Sequence, residues 1–336
     1  MASNSSPPDE AIPVYLLTGF LGSGKTTLLS RLVRSVAFAD TAVIINEFGQ
    51  VGLDHVLVGQ ARDDDVVLMD SGCLCCAMST SLQDSLETLY YRRLRGEIPR
   101  FARVVIETSG LADPAPLITT LGADVSVARH YRFAGAVTTV DAVHGLQTID
   151  RYREAATQVA IADRLILTKT DLCDTVSLLN IQQALPAYNP TAALRLATLT
   201  ASQGEADFFA DWATPSTVAP DSACVPASAS ALRLGHVLRY GITSYTFHVN
   251  TPVSWTRYAK WVRHLQQHGD ALLRLKAILA MDDGEVYAIH AVRHLFSPPQ
   301  RLTQPIAAPQ LGAIVIIAQD LSREEAEAAL EILSPS

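Results

Sequence analysis

The chain has 336 residues and a formal net charge of -8, with 49% hydrophobic and 18% charged residues. That length predicts two domains, the apolar content supplies a substantial core, and the low charge excludes a disordered chain. The acidic balance, with pI near 5.6, excludes nucleic acid or an anionic membrane as the main partner.

Met1 to Pro13 is polar, acidic and rich in Ser and Pro. It lacks the basic region and apolar run of a signal peptide, so residues 1–12 are expected to form a disordered tail. Pro13 to Thr18 reads as the first strand, Thr26 to Ala37 as a helix, and Thr41 to Asn46 and Asp65 to Met69 as strands. A helix is expected over Ser79 to Leu94, where Leu82, Leu86 and Leu89 share one face. Arg103 to Glu107, Gly135 to Val140 and Arg164 to Thr168 are further apolar strands, each ending at or beside a polar residue. This alternation predicts βαβ units around a mostly parallel sheet over residues 13–201.

Residues 202–238 are rich in Ala, Ser, Thr and Pro and read as a linker or irregular edge. A smaller α+β unit is expected over 239–336. Its strands are Ile242 to Val249, Leu273 to Ala280, Glu285 to His290 and Gly312 to Ile317; its helices are Ser254 to His268 and Ser322 to Leu333. Ser322 and Glu325 have the spacing of a capping box. There is no internal repeat. The apolar runs Ala42 to Ile45, Val104 to Ile106 and Ala313 to Ala318 are too short to span a bilayer. Five cysteines without a secretion signal fit a reducing cytoplasm, the expected location.

Gly19-Phe20-Leu21-Gly22-Ser23-Gly24-Lys25-Thr26 matches the phosphate-binding loop GxxxxGK[ST], after a predicted strand and before a predicted helix. Its glycines let backbone N–H groups close around a β-phosphate, and the helix N-terminus adds its positive end. Lys25 supplies charge to the β- and γ-phosphates, and the Thr26 hydroxyl is placed to ligate Mg²⁺. The nucleotide-binding set is Gly19, Leu21, Gly22, Ser23, Gly24, Lys25, Thr26 and Thr27.

Val104 to Gly110 is an apolar strand ending in Glu107, with Gly110 three residues on. Glu107 can hold Mg²⁺ and orient the attacking water, and the Gly110 N–H can sense the γ-phosphate; with Lys25 these form the catalytic set. The alternative is an ordinary strand-end carboxylate. Thr168-Lys169-Thr170-Asp171 resembles the guanine-reading NKxD motif. Asp171 would accept from N1–H and the exocyclic amine of guanine, and the Lys169 stem would cover the base. Thr168 stands where Asn is usual, which weakens or alters one contact to N7. The aspartate still favours GTP over ATP.

Three of the five cysteines fall within Cys73-Leu74-Cys75-Cys76. Thiolates so close repel and oxidise unless a soft metal holds them, so metal binding is the leading reading, with buried or redox cysteines the alternative. Histidine pairs His264/His268 and His290/His294 are weighed as solvated or packed rather than metal-binding, and Asp54 and Asp113 as switch or solvated carboxylates.

These segments together resemble the CobW family of P-loop GTPases, relatives of the urease and hydrogenase nickel-insertion GTPases. The resemblance is carried by Gly19 to Thr27, Asn46-Glu47-Phe48-Gly49 with Asp54 downstream, Gly72-Cys73-Leu74-Cys75-Cys76, Glu107 to Gly110 and Thr168 to Asp171, in the family's order. Leu272-Leu273-Arg274-Leu275-Lys276-Ala277 is similar to the family's C-terminal module. The resemblance implies a GTP-dependent metal chaperone in which Cys73, Cys75 and Cys76 bind metal, with Glu47 a candidate fourth ligand. Three sulfurs and one oxygen or nitrogen make a tetrahedral Zn²⁺-type site that Co²⁺ also accepts. A turn within Asp70 to Met78 is expected to gather the thiols.

The main expectation is therefore GTP hydrolysis, slow in isolation, with Mg²⁺-GTP ordering Asn46 to Asp54 and Glu107 to Asp113 so that metal passes to a client metalloprotein. A nucleotide-gated metal sensor and a small-molecule kinase are the competing readings. An oligomer is compatible with the sequence, which fixes no oligomeric state.

Overall fold

A computed structural model describes residues 11–46, 67–68, 74–77, 81–197, 206–209, 240–303, 305–306 and 310–334, with the backbone alone for 37, 46, 67–68, 74–77 and 206–207. The chain divides into two compact units. One draws on Met1–Thr18, Gly24–Val137 and Thr200–Ala210, the other on Gly19–Ser23, Thr138–Leu199 and Asp211–Ser336.

In the first unit, β1 (Ile12–Thr18), β2 (Thr41–Asn46), β3 (Val67–Leu68), β4 (Leu74–Ala77) and β5 (Arg103–Thr108) lie in the order β3-β4-β2-β5-β1. The pairs β4–β2, β2–β5 and β5–β1 are parallel, and β3 runs antiparallel to β4 at the edge. Strands of this kind are covered on both faces and read as continuous apolar runs. Val104, Val105 and Ile106 are accordingly buried.

Helix α1 (Lys25–Leu32) buries Leu28, Leu29 and Leu32. It is shorter than the expected Thr26 to Ala37, because Val36–Phe38 forms a 3-10 turn and Phe38 is fully buried. The Arg103 guanidinium lies 5.0 Å from the Phe38 ring centroid and donates to Thr41 Oγ1. Helix α2 (Leu82–Leu94) is capped by Ser81, whose hydroxyl accepts from Asp84 N, and buries the three leucines of its predicted face. Within the stretch read as a linker, Ala206–Phe209 is a 3-10 turn, and the Phe209 ring packs edge-on against Tyr15 and Phe38. Helices α3 (Ala115–Ala123) and α4 (Val125–Ala128) complete the unit, and β6 (Tyr131–Asp141) begins in it.

The second unit takes up the end of β6 and continues through α5 (Gly145–Arg151), α6 (Arg153–Ile161), β7 (Arg164–Thr168), α7 (Thr175–Tyr188) and β8 (Ala193–Leu196). The strand order is β6-β7-β8, with β7 and β8 parallel. A second sheet follows, antiparallel throughout. It is formed by β9 (Ile242–His248), β10 (Leu272–Ala280), β11 (Val286–Val292), β12 (Leu295–Phe296), β13 (Gln300–Arg301) and β14 (Ala313–Gln319), in the order β12-β11-β10-β14-β9 with β13 on β11. Helices α8 (Trp255–Gln267) and α9 (Arg323–Glu331) pack Tyr258, Trp261, Leu265 and Ala329 with Leu275, Ala277, Leu279, Ile314 and Ile316 into one core, where Trp261 is fully buried. The capping box at Ser322 and Glu325 is formed as its spacing predicts.

The α/β fold class with a mostly parallel sheet and a smaller α+β unit is as the sequence predicts. Among the described residues no helix is long and apolar enough to cross a membrane.

Candidate functional site

The loop after β1 is shaped by its glycines. Gly19, Gly22 and Gly24 have φ of 139°, 72° and 89°, in the region L side chains avoid. At Gly19 space forbids a side chain as well, since a Cβ would lie 2.4 Å from Thr139 Oγ1 and 2.5 Å from its carbonyl oxygen. Ser23 N donates to Phe20 O at 3.1 Å, and the Ser23 and Thr139 hydroxyls are 2.7 Å apart. The result is a tight turn leading to Gly24, the N-cap of α1.

In the first unit, Lys25 is buried at the start of α1. The Thr26 hydroxyl donates to Glu107 Oε1 at 2.7 Å, and Glu107, at the end of β5, is buried. Beside it Thr108 Oγ1 donates to Thr18 Oγ1 at 2.9 Å, fastening the ends of β5 and β1. Gly110 is buried in the turn that follows, and Thr27 is exposed. Asp113 accepts from Ala115 N at 2.9 Å, in the turn that leads into α3.

Cys75 and Cys76 stand in β4, in register with Val43 and Ile44 of β2. One position on, Ala77, Ile45, Glu107 and Leu17 share a row across β4, β2, β5 and β1. The expected turn over Asp70 to Met78 therefore contains a strand at Leu74–Ala77. Cys73, Glu47, Asp54 and most of the first switch lie outside the described residues, among which no group of three or more His, Cys, Asp or Glu could hold a metal ion.

In the second unit, Thr168 is buried at the end of β7, and its hydroxyl donates to the Ser23 carbonyl at 2.7 Å, with Val140 O at 3.3 Å. The residue expected to face N7 of the base thus braces the phosphate loop. Lys169 has φ 56°, and its Nζ meets Asp141 Oδ2 at 2.6 Å. Asp141 Oδ1 also accepts from the N–H groups of Val143 (2.7 Å) and His144 (3.2 Å). Burial pushes the Asp141 carboxyl upward, but the Lys169 contact and these backbone donors outweigh it and hold it below the usual range. Asp171 is exposed in the 3-10 turn Thr170–Leu172. A cavity of about 240 Å³ opens beside the loop, lined among others by Phe20, Leu21, Ser23, His144, Gln158 and Lys169. Phe20 at its rim is stacked on Tyr152, with ring centroids 4.6 Å apart and planes inclined by 25°.

Asp141 escaped sequence reasoning. Its signal was present, because β6 is an apolar strand ending in an acid, the same pattern that marked Glu107. Of the histidines, His264 and His268 lie one turn apart with ring centroids at 5.0 Å. His290 faces Lys276 across β10 and β11, and burial pushes its imidazole down to about 4.

Comparison with known proteins finds matches to both halves of the chain. Residues 13–194 match the model of the CobW/HypB/UreG nucleotide-binding domain, and residues 242–333 that of the cobalamin synthesis protein CobW C-terminal domain. The zinc chaperone YjiA of Escherichia coli K12 is 42% identical over 161 residues, which is 48% of this chain and 50% of that protein. The matched stretch thus spans about half of that relative. The zinc-regulated GTPase metalloprotein activator 1 of Schizosaccharomyces pombe is 28% identical over 323 residues, covering 85% of this chain and 76% of that one. The crystal structure of Zn(II)-bound YjiA GTPase from E. coli superposes with a TM-score of 0.71 at 29% identity, covering 97% of this chain and 100% of the other.

Proposed function

From the premise that this chain belongs to the CobW family, we propose that it is a GTP-hydrolysing metal chaperone that carries Zn²⁺ on its cysteine motif and releases it to a client metalloprotein according to the bound nucleotide. The names of its relatives, zinc chaperone and zinc-regulated GTPase, support the class of activity. The observation that carries the coupling is the sheet row joining Ala77, next to Cys76, through Ile45 to Glu107. Two adjacent strand pairings separate the cysteine strand from the carboxylate that meets Thr26.

Lys25 and the loop N–H groups hold the phosphates in this reading, and the Gly19 cradle, which excludes even a Cβ, fits close approach of backbone to a phosphate. Thr26 and Glu107 present neighbouring oxygen donors, a set suited to Mg²⁺. Mg²⁺ would neutralise charge on the β- and γ-phosphates when bound. Glu107 orients water, the Gly110 N–H senses the γ-phosphate, and Asp171 reads guanine, with Lys169 held by Asp141. Cys73, Cys75 and Cys76 with Glu47 form the cargo site, which Co²⁺ also fits. Turnover in isolation is slow, and the protein acts in the cytoplasm.

The test is competition of Zn²⁺, Co²⁺, Fe²⁺ and Ni²⁺ for the protein bound to GDP and to a non-hydrolysable GTP analogue, with Cys73→Ala, Cys75→Ala and Cys76→Ala alongside. Zn²⁺ affinity is expected to differ between nucleotide states and to collapse in the variants. Equal affinity in both states would overturn the coupling.

A further inference from the structure

The two faces of β10 differ in kind. Leu275, Ala277 and Leu279 point into the core under α8 and α9, whereas Arg274 and Lys276, two residues apart, occupy the opposite face. Both cations are buried, at 3% and 6% exposure. Arg274 Nη2 donates to the carboxylate of Asp163, itself only 6% exposed, and Lys276 Nζ lies 3.5 Å from the same oxygen. Lys276 Nζ also donates to the Thr191 carbonyl at 2.9 Å.

Asp163 immediately precedes β7, and Thr191 stands two residues before β8. These starts are tied to each other as well. Ala193 N donates to Asp163 O at 3.0 Å. The Asn189 amide donates to the carbonyls of Val159, Ala160 and Ala162 while its oxygen accepts from Thr191 N and Oγ1. At the far end Ala197 N donates to Leu167 O at 2.8 Å. β7 is therefore a short rod of about 16 Å, paired along its length, with interior packing that transmits displacement.

Stability does not explain such a cluster, because a buried ionic set is generally no more stable than an apolar one of the same volume. What it does supply is position. We propose that Arg274 and Lys276 are positioning residues for guanine recognition: from the C-terminal sheet they fix the starts of β7 and β8, and so place Thr168, Lys169 and Asp171 at the other end. This rests on the reading of Thr168 to Asp171 as the guanine-binding loop. It gives the C-terminal sheet a role in nucleotide retention, so that a partner engaging that sheet acts on GDP release.

The experiment compares GDP dissociation, and GDP against IDP affinity, in the full-length wild type and three variants. Asp163→Leu/Arg274→Met/Lys276→Met removes all three charges. Lys276→Met removes the Thr191 hydrogen bond together with the 3.5 Å approach of Nζ to Asp163, and leaves the Arg274–Asp163 pair in place. Arg274→Lys keeps a cation opposite Asp163. The triple variant is expected to release GDP about tenfold faster and to lose preference for GDP over IDP, as coupling through a packed network allows. Lys276→Met should show a smaller acceleration, about threefold, and Arg274→Lys should stay near wild type. Wild-type release from folded Lys276→Met overturns the proposal, whether or not the triple variant folds. A wild-type protein with no guanine preference instead overturns the reading of the loop itself.

Discussion

The Thr168 hydroxyl donates to the carbonyl oxygen of Ser23 at 2.7 Å, so the strand expected to read the base also holds the back of the phosphate loop. In the proposed reading, base recognition and phosphate recognition would share this one hydrogen bond.

Thr168→Val removes that bond without changing shape. Loss of a buried hydrogen bond should weaken GDP and GTP binding about tenfold, with the preference for guanine over adenine retained because Asp171 is untouched. Titration with fluorescent nucleotides measures both. A loss of base preference at unchanged affinity would contradict the bracing role.

Asp141→Asn keeps an acceptor for the Val143 and His144 N–H groups but removes the charge that orients Lys169. Lys169 is partly exposed, so the effect is modest: about threefold weaker nucleotide binding, shrinking in high salt. Affinities at low and at 1 M salt decide it, and a salt-independent loss would point to misfolding rather than charge.

Glu107→Gln preserves an acceptor for Thr26 and abolishes the negative charge. GTP hydrolysis should fall about a hundredfold, while nucleotide affinity changes far less. Single-turnover hydrolysis with a parallel Mg²⁺ titration is the check, and an unaltered rate would remove Glu107 from the chemistry.

His290 predicts an acid-sensitive C-terminal sheet. Burial depresses its folded pKa to about 4, helped by the Arg274 and Lys276 cations and opposed by Asp163. The unfolded imidazole, at the ordinary 6.5, binds its proton first as pH falls. This group's contribution to stability is therefore whole above that value, declines as pH is lowered through the window, and is fully lost below about 4. His290→Leu should flatten the change in urea midpoint between pH 7 and pH 4.5. Identical pH slopes for variant and wild type would refute the assignment.

What could be read in advance tracks sequence separation. The phosphate loop is contiguous, and its chemistry follows from eight residues whose neighbours set their backbone. Glu107 was legible because an apolar strand ending in an acid is a local pattern. Asp141 has the same pattern, but its partner Lys169 lies 28 residues on, and only the order β6-β7 brings them together. Arg274 and Asp163 are 111 residues apart. Arg274 and Lys276 belong to an apolar strand whose alternation announces two faces without saying what covers the second. The length of α1 failed for another reason, since Phe38 turns inward beside Arg103 and the 3-10 turn that places it ends the helical run. Thr168 was assigned from its place in a motif, and the carbonyl it meets belongs to a loop 145 residues earlier.

Trp261, enclosed between α8 and the second sheet, has an optical consequence. All three tryptophans, Trp212, Trp255 and Trp261, come after residue 199, and the first unit holds none. Indole emission is therefore a private signal of the C-terminal half, and of the two described rings the dry Trp261 emits bluer and the partly wet Trp255 redder. Melting of that sheet can be watched by colour while the cysteine strand stays dark. A single Phe20→Trp exchange, against the Tyr152 ring, would put a lamp on the phosphate loop.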